Sequence, residues 1–165
     1  MNILLRDYYG KRRLTARQIL SDPLLFLAFG FGSGLSKFMP GTLGTIAAIP
    51  VYLFFMQLSP TYYLLATLLS IAFGIYLCEQ AAKKLGEHDF GGIVWDEVAG
   101  FLVTMCWLPF SWQSLIAGFV LFRLLDIFKP WPISWLDQHV SGGLGIMIDD
   151  VLAGVFAALL LRIWF

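Results

Sequence analysis

The chain alternates between long apolar runs and short polar breaks, and this pattern predicts a helical membrane protein. The runs lack the polar face of a surface helix, and a run of about 17 residues spans about 26 Å as a helix, close to the hydrocarbon core of about 30 Å. The runs cover residues 23–35, 42–58, 62–78, 93–108, 113–128 and 144–165. We therefore expect an all-α fold, a polytopic membrane helical bundle.

The first apolar stretch differs from the others because it is rich in glycine. Residues 23–41 contain Gly30, Gly32, Gly34 and Gly41, and each glycine costs a helix about 1 kcal/mol relative to alanine. Irregular backbone persists at membrane depth only where protein or water satisfies it. We therefore expect about five spans, preceded by a Gly-rich re-entrant or interfacial N-terminal segment.

The positions of the basic residues predict the orientation. The basic residues before the first run are Arg6, Lys11, Arg12, Arg13 and Arg17. With five crossings, the loops 80–92 and 129–143 fall on the same side as the N-terminus, and the opposite loops have no Lys or Arg. Because basic loops remain in the cytoplasm, the N-terminus is predicted to be cytoplasmic. We expect residues 1–22 to be a basic amphipathic cytoplasmic segment and 23–165 a single membrane-embedded domain.

Composition agrees with a membrane protein. Hydrophobic residues make up 59% of the chain and charged residues 13%, with a formal net charge of zero, whereas about 25% charged is typical of soluble domains. No feature resembles nucleic-acid recognition. Cys78 and Cys106 lie within apolar runs without zinc-ligand spacing, so we expect small core residues.

Two acidic pairs, Asp96-Glu97 and Asp149-Asp150, interrupt apolar runs. A charged side chain at bilayer depth costs at least about 2.5 kcal/mol, so four of them require partners. Each pair is expected about one helical turn into its run, and the predicted topology places both at the cytoplasmic face. Hard oxygen donors from two helices suit Mg²⁺, and the alternative is acids that interact with a helix dipole. All four acids are candidate metal ligands and catalytic residues.

The segment FRLLDIFKPWP adds two cations and a further acid. Arg123 and Asp126 share one helical face at i and i+3. Asp126 is a candidate third carboxylate of the site, which leaves Arg123 and Lys129 to bind a phosphate; the alternative is a structural ion pair. Lys129 precedes Pro130, which ends the helix, and an ordinary boundary anchor is an equal alternative.

The glycine-rich segment GFGSGLSKFMPGTLGT is a candidate phosphate cradle. Its backbone N–H groups are free to face an anion, and Ser33 and Thr42 are candidate hydroxyl donors to the substrate. The GxxxxGK[ST] spacing of a P-loop is absent, and small residues also mark close helix packing. His88, in the predicted cytoplasmic loop, is a candidate general acid or base, or a solvated loop histidine.

Four ordered segments resemble the phosphatidylglycerophosphatase A family: GFGSGLSKFMPGTLGTIAAIP, HDFGGIVWDEVAG, FRLLDIFKPWPI and GGLGIMIDDVLAG. The resemblance covers the chain from about residue 22 to its end. It implies a Mg²⁺-dependent lipid phosphatase of the bacterial inner membrane that converts phosphatidylglycerophosphate to phosphatidylglycerol and phosphate. The motif residues carried over are Asp96, Glu97, Arg123, Asp126, Lys129, Asp149 and Asp150, with His88 and Asp89 in the loop. Lys37 departs from the family pattern.

Metal-assisted hydrolysis is the mechanism that remains, because the motifs of other phosphatase classes are absent. A Cys-x5-Arg loop, a DxDx[TV] aspartyl nucleophile and a KxxxxxxRP…PSGH histidine set are all absent from the sequence. The main alternative function is a small cation-coupled membrane transporter that uses the intramembrane carboxylates. Transport predicts polar positions that continue to the outer face, and the outer half of each run is nearly featureless. The DGxxAR…GxxxDxxxD pattern of CDP-alcohol phosphotransferases is missing.

Overall fold

The structure, a computed structural model, describes residues 14–87 and 90–165, and in these ranges it is all-helical, without a strand. Seven breaks separate eight α-helices, and most helices coincide with the apolar runs. The helices are α1 (Ala16–Ser21), α2 (Pro23–Ala28), α3 (Pro40–Phe55), α4 (Pro60–Leu85), α5 (Trp95–Thr104), α6 (Trp112–Phe128), α7 (Ile133–His139) and α8 (Gly142–Leu161).

Several helix ends are capped by side-chain hydrogen bonds or by a left-handed residue. Thr15 and Gln18 form a capping box at the start of α1. Asp22 accepts hydrogen bonds from the first N–H groups of α2 and also pairs with Lys84 of α4. Lys129 caps the C-terminus of α6 with a left-handed backbone, φ 41° and ψ 58°, which confirms that the helix ends before Pro130.

The glycine-rich stretch is broken as predicted. After the six residues of α2, Gly30 and Gly32 adopt positive φ values of 52° and 93°, which glycine accepts at little steric cost. A single 3-10 turn, Ser33–Leu35, then leads to α3. The re-entrant or interfacial position of this stretch stays a prediction.

Two of the described helices are long and apolar enough to cross a membrane, Pro60–Leu85 and Gly142–Leu161. Pro40–Phe55 is apolar but shorter. α5 has ten residues and is about 15 Å long, so its helical part alone falls short of the hydrocarbon core. Length and composition therefore support two of the five predicted crossings, those of α4 and α8.

The helices alternate in direction, so that the starts of some helices lie beside the ends of others. The N–H of Gly143, at the start of α8, donates to Glu79 Oε2 near the end of α4 at 2.7 Å. The N–H of Val94, just before α5, donates to the carbonyl of Ala28 at 2.8 Å. The starts of α5 and α8 therefore lie at the same end of the bundle as the last turns of α4. We call this the site end.

The helices α5 and α8 approach each other at two glycines. A Cβ on Gly154 would lie 2.4 Å from the carbonyl oxygen of Gly100, and a Cβ on Gly100 would lie 2.7 Å from the carbonyl oxygen of Asp150. Because real side chains do not tolerate such distances, the two backbones touch only where both residues lack a side chain. Phe122 of α6 packs over the same point.

The outer surfaces of α4 and α6 are apolar. Their exposed large hydrophobic residues recur at helical spacing, so each helix presents one continuous stripe. The exposed positions are Tyr62, Leu65, Leu68, Leu69, Phe73 and Tyr76 on α4 and Trp112, Ile116, Val120, Leu124, Ile127 and Phe128 on α6. Contiguous exposed apolar surface of this extent is typical of contact with lipid or another protein. Cys78 and Cys106 are buried, as predicted.

The glycine crossing yields a stability prediction. Gly154→Ala should force α5 and α8 apart and lower the free energy of unfolding by about 1–3 kcal/mol, as overpacking does. Thermal unfolding in detergent measures the change. Gly91→Ala is the matched control, since a Cβ there has no atom of the described residues within 4 Å. Equal midpoints for the two variants would contradict the proposed crossing.

Candidate active site

Three carboxylates converge at the site end, from Asp96 and Glu97 on α5 and Asp150 on α8. One oxygen of each lies within 4.8 Å of the others. Asp96 stands one turn before Gly100, and Asp150 stands one turn before Gly154. Because the helices cross at these glycines, the residues one turn earlier face each other across the interface. We call these three residues the acidic cluster.

The same five-residue pattern supplies both sides of the cluster. Residues 96–100 read DEVAG and residues 150–154 read DVLAG, so each helix carries Asp-x-x-Ala-Gly. This repeat was not used in the sequence analysis, and it is the signal that separates Asp150 from its neighbour Asp149. The aspartate in register with the glycine joins the cluster, whereas the adjacent one points elsewhere.

Asp149 is held by a lysine. Lys129 Nζ donates to Asp149 Oδ2 and to Asp137 Oδ1, each at 2.5 Å. Burial of the amine opposes its charge, but the two carboxylates outweigh this and raise the pKa of Lys129. Lys129 therefore stays protonated and links α6, α7 and α8. Asp137 was not singled out in the sequence, because a single acid in a polar loop gives no signal.

Arg123 joins the acidic cluster to α3. Its Nη1 lies 2.5 Å from Asp126 Oδ2 and 3.7 Å from Glu97 Oε1. A Cβ on Gly41 would lie 2.2 Å from Glu97 Oε1 and 3.0 Å from both Nη atoms of Arg123. The first turn of α3 can therefore approach the arginine only because residue 41 has no side chain. The ion pair of Arg123 with Asp126, which was the alternative to a phosphate-binding role, is present, and Glu97 shares it. The phosphate-binding role of Arg123 stays a prediction.

A cavity of about 180 Å³ opens between these groups, several times the volume of about 30 Å³ that one water occupies in the liquid. Most of its lining is polar. It is lined by Gly91, Ile93, Asp96, Glu97, Asp126, Lys129, Asp137, Val140, Gly145, Ile146, Asp149 and Asp150. The cavity offers space for a phosphate group and a few waters next to the carboxylates.

The acidic cluster fits a divalent cation. Asp96 Oδ1, Glu97 Oε2 and Asp150 Oδ2 are buried, and within the described residues they have no hydrogen-bond partner. A buried charged acceptor without a partner is strongly unfavourable, so the three oxygens require a bound positive charge or protons. Carboxylate oxygens from two helices, with space for water, are the ligands that Mg²⁺ accepts.

The other predicted residues fall in different places. The hydroxyl of Ser33 donates to the carbonyl of Gly30 at 2.8 Å and closes the glycine-rich turn, away from the residues that line the cavity. Thr42 is next to Gly41, and its buried hydroxyl has no partner among the described residues. His88 lies outside the described residues.

The second acidic pair does not begin its helix. Asp96 and Glu97 lie in the first turn of α5, which starts at Trp95. Asp149 and Asp150 lie about two turns into α8, because that helix starts at Gly142. Gly143 and Gly145 lie in the first turns of α8 and pack closely against backbone. A Cβ on either would lie within 2.3 Å of a carbonyl oxygen. The dipole of the first turn therefore does not account for this pair.

Comparison with known proteins identifies relatives over most of the chain. The family model described as Phosphatidylglycerophosphatase A matches residues 26–165. A protein named Phosphatidylglycerophosphatase A from Escherichia coli (strain K12) is 52% identical over 144 residues, which cover 87% of this chain and 84% of the relative. One of the same name from Haemophilus influenzae (strain Rd) is 42% identical over 142 residues, 85% and 87% of the two chains. No solved structure shows a significant match.

The ion pair between Lys129 and Asp149 should contribute measurably to stability. A double-mutant cycle with Lys129→Met and Asp149→Asn should give a coupling energy of about 1–2 kcal/mol, since the pair is largely enclosed. Denaturant unfolding in detergent measures it. The control cycle uses Lys83 and Glu79, which are 2.8 Å apart and more exposed than Lys129 and Asp149, so that about 0–1 kcal/mol is expected. A larger coupling in the control would refute the assignment.

Proposed function

The chain belongs to the phosphatidylglycerophosphatase A family, and we propose that it hydrolyses phosphatidylglycerophosphate to phosphatidylglycerol and inorganic phosphate. The observation that carries the proposal is the convergence of three carboxylates beside an arginine and a cavity of phosphate size. Each carboxylate has one buried oxygen without a hydrogen-bond partner among the described residues. Phosphoryl transfer depends mainly on positioning and on stabilising charge, and this arrangement supplies groups for both.

We propose that Asp96, Glu97 and Asp150 hold Mg²⁺. Their unpartnered oxygens support this assignment. When bound, such an ion stabilises the negative charge that develops on the transferring phosphoryl group. Asp149, whose second oxygen is also without a hydrogen bond, is assigned instead to Lys129, and it orients that amine beside the cluster.

Arg123 is proposed as the main phosphate-binding residue. A guanidinium has five N–H donors. One is used by Asp126, and Nε has no partner among the described residues. Lys129 has three donors and already gives two of them to Asp137 and Asp149. The arginine therefore keeps more capacity for phosphate oxygens, in the planar geometry that suits them.

Two further groups support phosphate binding. Thr42 has a buried hydroxyl without a partner, and it lies in the first turn of α3, where backbone N–H groups have no partner within the helix. That turn reaches Arg123 through Gly41. The Thr42 hydroxyl and these N–H groups therefore provide neutral hydrogen-bond donors for phosphate beside the arginine.

Water is the proposed nucleophile. Its oxygen forms the new bond to phosphorus while the bond from phosphorus to the glycerol oxygen breaks, and the departing oxygen takes up a proton. The carboxylate oxygens of the acidic cluster are acceptors that can orient the attacking water. An aspartyl-phosphate is less favoured, because no sequence motif marks an aspartate as the nucleophile.

We propose that the chain crosses the bacterial inner membrane five times, by α3, α4, α5, α6 and α8, with the site end in the cytoplasm. The basic segment 1–22 and Lys83 and Lys84 on the last turn of α4 support this orientation. The apolar stripes on α4 and α6 support lipid contact. The phosphate of a substrate lipid in the inner leaflet would then lie close to the level of the cavity.

Phosphate release from phosphatidylglycerophosphate tests the function. The purified protein should release phosphate with Mg²⁺ and stop with EDTA. Asp96→Asn, Glu97→Gln and Asp150→Asn should each lower kcat by about 100-fold or more, as loss of a group that stabilises transition-state charge does. Glu87→Gln, an exposed acid, is the control. No release by folded protein under either condition would defeat the proposal.

Metal binding distinguishes the two aspartates of the second pair. Mn²⁺, which accepts the same oxygen ligands, can be followed by its electron paramagnetic resonance signal without substrate. Asp150→Asn should weaken Mn²⁺ binding by more than about tenfold, and Asp149→Asn should weaken it clearly less while still lowering kcat. Equal weakening by both would place Asp149 among the ligands.

A further inference from the structure

The segment before α3 holds two large apolar side chains outward. Phe38 is 83% exposed and Met39 is 65% exposed. A local turn fixes them there: the hydroxyl of Ser36 accepts from the N–H of Phe38 at 3.1 Å and donates to its carbonyl at 2.9 Å. Met39 follows with a left-handed backbone, φ 48°.

Both features of this segment are unfavourable in themselves. Positive φ is strained for a residue with a side chain and costs about 1–3 kcal/mol, and exposed Phe and Met side chains forgo the gain of burial. Strain of this kind persists only where the surrounding structure or a function requires it. An apolar ligand that covers the pair would offset the cost of its exposure.

The exposed pair lies next to the site. Gly41, two residues after Met39, is the position where α3 meets Glu97 and Arg123. The helices α3 and α6 both pack on α5 but barely contact each other among the described residues. The guanidinium of Arg123, on α6, thus lies against the first turn of α3, two residues after Met39. Phe128, at the end of α6, is also exposed.

We propose that Phe38 and Met39 bind the acyl chains of the lipid substrate at a lateral entrance between α3 and α6, and that they make the enzyme prefer a membrane lipid over a soluble phosphate ester. This proposal rests on the proposed phosphatase function. With chains against this pair, the headgroup phosphate lies on the side of Gly41 and Arg123. The pair acts on substrate binding and takes no part in the chemical step.

Two observations favour a bilayer lipid over a protein partner. The exposed apolar surface continues from Phe38 along α3 through Leu43 and Ile46 to Phe54, so the pair belongs to a surface as long as the helix. Lys37, next to Phe38, is exposed and basic, and a cation beside an apolar contact matches an anionic lipid at the interface.

The test compares the activity on two substrates of variants at the two ends of α3. Phe38→Ala and Met39→Gly remove the side chains, and Met39→Gly also relieves the positive φ, so it should fold at least as well as the native protein. Phe54→Ala is the control, because Phe54 is 66% exposed at the other end of α3. The substrates are dioleoyl phosphatidylglycerophosphate in vesicles and its dihexanoyl form as dissolved monomers.

Each variant of the pair should lower kcat/KM for the dioleoyl lipid by about tenfold through KM, the effect of losing one large apolar contact. It should leave the dihexanoyl substrate and kcat nearly unchanged, and Phe54→Ala should change neither substrate. Equal losses on both substrates, or losses no larger than those of Phe54→Ala, would overturn the proposal while native activity upholds the phosphatase function. A native protein that hydrolyses neither lipid would overturn both.

Discussion

The close crossing of α5 and α8 is the contact on which the site depends. Gly100 and Gly154 let the backbones touch, and this contact sets both the separation and the rotation of the two helices. A side chain at either position would part the helices and pull the carboxylates beyond the reach of a single cation. The contacts that pack the two helices therefore also form the site. The residues that fill the space around the crossing, such as Phe122, also fix where Asp96 and Asp150 meet.

Charge balance explains how the remaining groups are arranged. Within the described part of the chain, six carboxylates line the cavity and two cations stand among them. Lys129 is engaged by two acids outside the cluster, Asp137 and Asp149. Arg123 contacts Asp126 at 2.5 Å and lies farther, at 3.7 Å, from Glu97 of the cluster. The negative charge that stays uncompensated is therefore concentrated on the three residues that face one another. Such a distribution attracts a cation to one point rather than spreading its binding along the cavity wall.

Much of this could be read from the sequence, and the failures have physical causes. Apolar runs predict helices because burial and lipid contact both demand them, and acids within such runs stand out because they are unfavourable there. The roles of Asp149 and Asp150 could not be separated without the rotation of α8 about its axis, which the glycine contact sets. Asp137 was not singled out and Gly41 was not distinguished from its neighbouring glycines, because an isolated acid and one glycine among many carry no periodic signal. The placement of His88 stays a prediction.

The early start of α8 gives the site a direction. Because the helix begins about two turns before Asp150, about 12 Å of it rises beyond the acidic cluster, whereas α5 begins at the level of the cluster itself. The carboxylates thus lie beside a helical wall on the α8 side, whereas on the α5 side the cavity is lined by the non-helical segment with Gly91 and Ile93. A phosphoryl group that binds there cannot have its glycerol on the side that α8 occupies, so this helix restricts the directions in which the alcohol can depart.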